Sequence, residues 1–212
     1  ELRADSMLGV PGLVEAARAG QVTVANALGS GLMETPALLA FLPALCQHLL
    51  GEELRLPSVA TWWCGQAGEL RQVLDRLDEL VIKPAFGDPG KESWFGGRLS
   101  PSERADLVAR IRARPRDFVG QERVILSRAP VWTDPGLEAR SLVVRVYAAN
   151  DGEQVRILPG GLTRFSRTPE DPVVTMQHGS GSKDTWVLEA PGTAPAAPPG
   201  SGRGPAAEAA EP

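Results

Sequence analysis

The sequence lacks most of the features that mark easily recognised classes of protein. It contains two cysteines in 212 residues, so it has neither a disulfide framework nor the cysteine spacing of a zinc site. Its longest apolar stretch, residues 35–51, is interrupted by Pro43, Gln47 and His48 and is too short to cross a bilayer. We therefore expect a protein of a reducing compartment, the cytoplasm, with no membrane span.

Basic excess and the common phosphate-binding loops are also absent. Lys and Arg number 22 against 26 Asp and Glu, a formal net charge of −4, which disfavours nucleic acid as a partner. The segment "GDPGKE" is not a Walker A loop, because two residues rather than four separate its glycines and Glu92 follows its lysine. No G-x-G-x-x-G follows the first predicted strand, which disfavours a dinucleotide-binding fold.

What the sequence does contain is the composition of a globular protein, with 42% hydrophobic and 23% charged residues. Apolar spacing, proline and glycine predict an α+β protein. The first predicted helix begins at Pro11 and ends before Gly20. The other predicted helices are residues 35–51, whose apolar side chains surround the axis and predict deep burial, residues 67–80, and the helix after Ser100, where Ser100 and Glu103 form a capping box. The predicted strands are residues 22–25, 80–84, 117–126, 140–150, 153–161 and 184–189.

The order of these elements predicts three regions. Residues 1–79 form a mixed N-terminal part, and residues 80–188 combine a strand, a loop, a helix and a sheet. Residues 189–212 are almost entirely Ala, Pro and Gly, so we expect a disordered linker.

One lysine is the first candidate for chemistry. Lys83 ends the apolar run "LVIK" and is followed by a loop that contains Gly87 and Gly90. A lysine fixed on a strand supplies a point charge, and a glycine loop can fold its N–H groups over phosphates. From spacing alone the alternative stays open that Lys83 is a solvated charge at a strand end, which is the commoner occurrence.

Three further places carry polar residues within apolar surroundings. Gln121 and Glu122 interrupt an apolar strand, and because neighbours alternate in a strand, one of them should face inward and need a partner. Arg145 and Arg164 lie on predicted strands, where a guanidinium is well placed for forked contacts to phosphate or carboxylate, although solvated arginines are common. Asn26, before a glycine-rich loop, offers an amide oxygen to a hard cation or simply begins a turn.

Taken in order, these parts resemble the circularly permuted ATP-grasp proteins of the type 2 group. The phrases that carry the resemblance are "LRADSMLGVPGLVEA", "VTVANALGSG", "LLGEELRLPSVATWWCGQ", "LVIKPAF", "QERVILSRAPVW", "LVVRVYA" and "LPGGLTRFS". The resemblance covers residues 2–188, and it indicates that the chain is a C-terminal part of a longer protein. An additional domain is expected before residue 1, and the linker either leads to a further domain or simply ends.

The resemblance implies a fold of two α+β subdomains with a nucleotide cleft between them, and it assigns roles. Lys83, Gly87 and Gly90 correspond to residues at the ATP phosphates, Gln121 and Glu122 to residues at the adenine and ribose, and Arg145 and Arg164 to catalytic arginines at the transferred phosphoryl group. Asn26 corresponds to a magnesium ligand. Because Val24 stands where the family has an acid, the carboxylate ligand is expected to come either from Asp5 or from residues that precede Glu1.

The function that the resemblance implies is an ATP- and Mg²⁺-dependent ligase. It would join a small carboxylate or peptide-like substrate to an amine through an acylphosphate. The alternative is a non-catalytic nucleotide-binding or interaction module, or an incomplete fragment, which Val24 favours. The sequence itself does not identify the substrate.

Overall fold

The computed structural model describes residues 10–26, 28–86, 93–134, 136–169, 174 and 181–188. Contacts divide the chain into two compact units, Glu1–Ile125 and Leu126–Pro212, which we call unit 1 and unit 2. Unit 1 combines helices with antiparallel strands, and the described part of unit 2 is built of antiparallel strands and turns. The fold is therefore α+β, as predicted.

The elements of unit 1 alternate between the two types. Its helices are α1 (Leu13–Arg18), α2 (Pro36–Leu39), α3 (Leu42–Leu50), α4 (Ala67–Asp75) and α5 (Pro101–Ala113), with short 3-10 helices at Ser30–Glu34, Leu77–Glu79, Gly96–Arg98 and Pro115–Asp117. Its strands are β1 (Thr61–Trp63), β2 (Leu80–Pro84), β3 (Trp94–Phe95) and β4 (Phe118–Glu122). They pair antiparallel in the order β1-β4-β2-β3. None of the helices in the described ranges combines the length and the apolar composition that a bilayer crossing requires.

One face of this sheet carries the main core of unit 1. Leu80 and Ile82 of β2 and Phe118 of β4 point toward the apolar sides of α4 and α5. The other buried members of this cluster are Cys64, Val73, Leu77, Leu107 and Ile111. Each fully buried aliphatic side chain contributes roughly 1.5–3 kcal/mol relative to exposure, so this cluster holds the helices on the sheet.

The start of α5 follows directly from its sequence. The Ser100 hydroxyl accepts from the Glu103 backbone N–H at 3.4 Å, and the Ser100 N–H donates to the Glu103 carboxylate at 2.8 Å. Pro101 at the first helical position has no N–H to satisfy. The predicted capping box is confirmed, and it satisfies two of the donors that a helix start leaves open.

The opposite face of the sheet has a smaller cluster. Ala37 of α2 packs there against Ala85 and Val119, with Trp63 alongside. The Ala37 N–H also donates to the Ala85 carbonyl at 3.2 Å. Phe41 meets the Trp63 ring edge-on, with centroids 6.0 Å apart. The short helix α2 thus covers one end of this face.

Unit 2 consists of a curled sheet and a hairpin in its described residues. Its strands are β5 (Arg128–Thr133), β6 (Gly136–Arg145), β7 (Ala148–Asn150), β8 (Val155–Ile157), β9 (Gly161–Phe165) and β10 (Ser182–Thr185). The sheet order is β10-β9-β6-β5, and β7 pairs with β8. The ammonium of Lys183 on β10 donates to the carbonyl of Pro130 on β5 at 2.6 Å, so the sheet curls until its two edge strands approach each other.

Three predictions about the N-terminal region are wrong. Residues 22–25 form no strand, because this alternating tetrad has no neighbouring strand to pair with among the described residues. The helix over 35–51 is broken between α2 and α3, because Pro43 has no N–H and its ring clashes with a carbonyl one turn earlier, at Leu39. Helix α3 also has no buried residue, in contrast to the deep burial that its composition predicts.

The later strand predictions are confirmed in part. Strand β2 matches its prediction, whereas 117–126 forms a strand only over Phe118–Glu122 and 140–150 contains the end of β6 and all of β7. Strands β1, β3, β5 and β9 were not predicted as separate elements, and β10 ends before Trp186. The predicted linker, residues 189–212, lies outside the described residues. The predicted boundary at residue 80 separates β1 from the partners with which it forms one sheet.

Candidate functional site

Lys83 lies on the face of the unit 1 sheet that points away from α4 and α5. It is opposite Val119 of β4 and shares its face with Val81 and Ala85 of its own strand. The side chain is half-buried, and burial lowers the pKa of its ammonium group below the ordinary value. No carboxylate in the described ranges acts against this shift, so the positive charge is held there without a compensating partner.

Gln121 lies on the same face, one strand away. It is buried, and its position is opposite Val81 on one side and Thr61 on the other. Its side-chain amide donates to the Thr61 hydroxyl at 3.0 Å, which supplies the partner that a buried amide requires. Together with Phe95, opposite Val81 on β3, these residues form one continuous row across the sheet.

Glu122 does not join this row. It is opposite Leu80 on the other face of the sheet, and its side chain is exposed. Its backbone N–H donates to the Ala60 carbonyl at 2.9 Å. Of the two neighbours, the structure therefore brings Gln121 to the face of Lys83, and it leaves Glu122 at the end of β4 on the opposite side.

Arg145 and Arg164 share a face of the unit 2 sheet. Arg145 is opposite Leu162, and Arg164 is opposite Val143, so the two arginines are diagonal neighbours on β6 and β9. Diagonal positions lie about 7–8 Å apart, within reach of two long side chains. Arg145 is exposed and Arg164 is half-buried. By this register Arg145 faces away from Leu142 and Val144.

The predicted metal ligands do not form a site within the described residues. Asn26 is exposed and has a left-handed backbone with φ 63°, a conformation that asparagine tolerates better than most residues. It follows no strand. No group of three His, Cys, Asp or Glu side chains with metal-binding geometry is found in the described part of the chain. Asp5, Gly87 and Gly90 lie outside the described residues.

Two residues of the Lys83 face were missed by sequence reasoning. Thr61 holds the Gln121 amide, and Phe95 extends the row at the other edge. The only signal was the β-branched and aromatic character of "TWW" and "WF", in segments too short to show alternation. Cys64 is buried in the main core, and burial raises its pKa to about 11.

A pocket of about 420 Å³ lies on the helix-bearing side of the same sheet. Its lining residues are Pro84, Phe86, Trp94, Arg110, Ala113, Arg114, Asp117 and Phe118. The Arg110 guanidinium stacks over Trp94 at 4.8 Å and lies 5.9 Å from the Phe118 ring centroid. This pocket contains none of the predicted site residues.

The geometry is that of an antiparallel sheet, on one face of which a half-buried cation and a buried amide stand on adjacent strands. Comparison with known families matches residues 1–166 to the description "Circularly permuted ATP-grasp type 2". The chain belongs to the circularly permuted ATP-grasp type 2 family.

Curated proteins similar to this chain are considerably longer. An uncharacterised protein of Synechocystis is 41% identical over 187 residues, which is 88% of this chain and 39% of that protein. An uncharacterised protein of Mycobacterium tuberculosis is 41% identical over 188 residues, 89% of this chain and 34% of its own length. A Frankia casuarinae protein named "Putative glutamate--cysteine ligase 2-2" is 38% identical over 184 residues, 87% of this chain and 21% of that protein. The chain thus spans well under half of each of these relatives.

Proposed function

We propose that this chain is the ATP-binding part of a ligase that joins a carboxylate to an amine. In the first step the γ-phosphoryl group of ATP is transferred to a substrate carboxylate oxygen, giving an acylphosphate and ADP. The amine nitrogen then attacks the acyl carbon, loses a proton and displaces phosphate, so that an amide forms. Family membership and the ligase names of two Frankia relatives support an ATP-dependent ligase.

The observation that carries the proposal is the uncompensated ammonium of Lys83 beside Gln121. Burial removes water from the Lys83 ammonium and therefore disfavours its charged form. A bound phosphate would stabilise that charge in place of the lost water. The Gln121 amide lies one strand away, and a side-chain amide is suited to hydrogen bonding with a heteroaromatic ring edge or a ribose hydroxyl. Both groups stand on strands, so their positions are fixed before a ligand arrives.

We assign Arg145 and Arg164 to the transferred phosphoryl group. Phosphoryl transfer needs positive charge around an in-line displacement and little covalent chemistry from the protein. Two diagonal guanidinium groups on one sheet face supply forked donors for that purpose. Gly87 and Gly90 remain proposed phosphate-loop residues, and Glu122 remains a proposed ribose contact from the end of β4.

Magnesium is expected in such a ligase, where it would neutralise phosphate charge. The described residues do not by themselves provide its ligands, because Asn26 stands without neighbouring carboxylates and Val24 replaces an acid. Asp5 stays the proposed carboxylate. No step of the proposed reaction is derived through the metal. The substrate is proposed to be a small carboxylate or peptide in the cytoplasm.

The test is ATP binding by the full-length protein, measured by isothermal titration calorimetry with and without Mg²⁺. Lys83→Met removes the charge and keeps the side-chain volume, and it should weaken ATP affinity by roughly 10–100-fold, the value of one charge-assisted contact. Arg112→Ala, an exposed change on α5, is the control and should leave affinity unchanged. Equal affinity in Lys83→Met and the parent protein would refute the assignment.

A second function, nucleotide binding without catalysis, is favoured by the single observation that Val24 stands at an acid position. ADP release with a panel of amino acids and short peptides separates the two. Tight ATP binding with no substrate-stimulated ADP release would support the binding module over the ligase.

A further inference from the structure

Helix α3 presents an unusual surface. Residues 35–51 contain no Asp, Glu, Lys or Arg, and α3 is the sequence LPALCQHLL. None of its residues is buried, and Leu49 and Leu50 are 72% and 70% exposed. Leu45, one turn before Leu49, is 36% exposed, so Leu45, Leu49 and Leu50 form an apolar face that the described residues cover only in part.

A helix of this kind is not stable in water by itself. Isolated helices shorter than about 12–15 residues are marginal, and most helical stability in proteins comes from packing of an apolar face. A helix that is apolar all round is normally buried. Since α3 has nine residues and buries none of them, its stability requires a covering surface that lies beyond the described residues.

The segments on either side of α3 also expose apolar side chains. Leu32 and Met33 in the 3-10 helix Ser30–Glu34, which precedes α2, are 64% and 68% exposed, and Leu56, after α3, is 82% exposed. Single exposed apolar side chains are ordinary, but a run of them around an uncharged helix marks an interaction surface.

We infer that the α3 surface, defined by Leu45, Leu49, Leu50 and Leu56, is an internal interface covered by a part of the full-length protein outside residues 1–212. We choose this occupant because the relatives are much longer than this chain, which spans 39% and 34% of the Synechocystis and Mycobacterium tuberculosis proteins. The covering segment is apolar and uncharged where it meets α3, because no charged residue in 35–51 offers it a partner.

Two other occupants are less favoured. A nine-residue helix is about 13 Å long and 10 Å wide, so its face is far smaller than the roughly 800 Å² per partner of a stable dimer. An internal segment has no such requirement, because it is already tethered. A membrane surface is disfavoured because amphipathic membrane helices carry Lys or Arg on a polar face, and residues 35–51 carry neither.

The experiment uses the full-length protein with p-benzoyl-phenylalanine at position 49, illuminated and mapped by mass spectrometry. Position 105, where Ala105 is exposed on α5, is the matched control. The expected result is a crosslink from position 49 to peptides outside residues 1–212, with a yield independent of protein concentration, and no such crosslink from position 105. A crosslink to residues 126–188, or a concentration-dependent crosslink to a second copy, overturns the inference.

A cysteine at position 49 is a smaller probe than benzophenone and disturbs the packing around α3 less. In the full-length protein, Leu49→Cys should react with a maleimide at least tenfold more slowly than Ala105→Cys. Equal rates overturn the inference, and so does protection that appears only when phosphatidylcholine or phosphatidylglycerol vesicles are added.

Discussion

Lys83 and Gln121 lie on the same face of two adjacent antiparallel strands, two residues apart in register. Lys83 is opposite Val119, and Gln121 is opposite Val81, which places the two side chains about 7–8 Å apart. Gln121 is held by the Thr61 hydroxyl, whereas burial acts against the charge of Lys83 without an opposing carboxylate. In this pair the Gln121 amide already has a hydrogen-bond partner, whereas the Lys83 ammonium would be stabilised by a bound anion.

The first prediction is that Lys83→Met makes the ligand-free protein more stable. The substitution removes a charge that burial penalises, and we expect a gain of about 0.5–2 kcal/mol in the free energy of unfolding at pH 7, the usual range for stabilising changes. Urea denaturation followed by circular dichroism measures it. A loss of stability would show that the Lys83 ammonium has a favourable partner.

The pH dependence of this effect has a definite sign. Because the pKa of Lys83 is lower in the folded than in the unfolded state, the unfolded chain binds more protons between the two values, and stability rises with pH across that interval. The advantage of Lys83→Met should thus be full at pH 7 and diminish toward the ordinary lysine pKa. A difference that stays constant up to pH 10.5 would contradict this account.

The second prediction concerns the amide row. Gln121→Leu and Thr61→Val should each destabilise unit 1, and the double variant should lose less than the sum of the two. The expected coupling energy is about 1 kcal/mol, the net value of one hydrogen bond. A double-mutant cycle by urea denaturation measures it, and additive losses would mean that the 3.0 Å contact contributes nothing.

The third prediction concerns Cys64. Burial raises its pKa from 9.0 to about 11, so at pH 8 its thiolate fraction is roughly 100-fold lower than that of an ordinary thiol. Iodoacetamide should modify Cys64 readily in 6 M urea and barely in buffer, as read from the peptide mass. The Cys64→Ala protein identifies the peptide.

The same shift predicts alkaline destabilisation. Between pH 9 and about 11 the folded state keeps the Cys64 proton that the unfolded state loses. The contribution of the buried thiol to the free energy of unfolding is therefore complete below pH 9 and falls between pH 9 and about 11. Cys64→Ala should remove this part of the pH dependence. An unchanged slope in the variant would count against a buried protonated thiol.

The fourth prediction compares two glycines. A Cβ on Gly96 would overlap the backbone carbonyl of Leu77, whereas a Cβ on Gly120 would lie 2.7 Å from a Val73 methyl group. Gly96→Ala should cost roughly 3 kcal/mol and Gly120→Ala roughly 1–2 kcal/mol, because a side chain can move where a backbone cannot. Thermal unfolding of both variants tests the order, and the reverse order would be inconsistent with close backbone packing at Gly96.

The sequence predicted correctly those elements that are stabilised by residues close together in the chain. The capping box of Ser100 and Glu103 fixes the start of α5 by contacts three residues apart, and the strand ending at Pro84 follows from β-branched residues and proline. Alternation correctly predicted that one of Gln121 and Glu122 faces inward. It could not reveal Thr61 as the partner, because sixty positions separate Gln121 from Thr61.

The predictions that failed depended on surroundings that a sequence pattern does not contain. Residues 22–25 alternate like a strand, yet strands need a partner to pair with. Helix α3 has the composition of a buried helix, yet the described part of the chain buries none of its residues. Likewise, the shared face of Arg145 and Arg164 required the register of β6 and β9, which the sequence left open.

The hydrogen bond between Lys183 and Pro130 has a consequence for solubility. Open sheets expose unpaired N–H and carbonyl groups along their outer strands, and these groups recruit strands from other molecules. Here the carbonyl of Pro130 on β5 accepts from Lys183 on β10, and Pro130 itself has no N–H to offer. The two outer strands of unit 2 therefore meet at Pro130, which leaves that position neither an N–H nor an unoccupied carbonyl for pairing with a strand of another molecule.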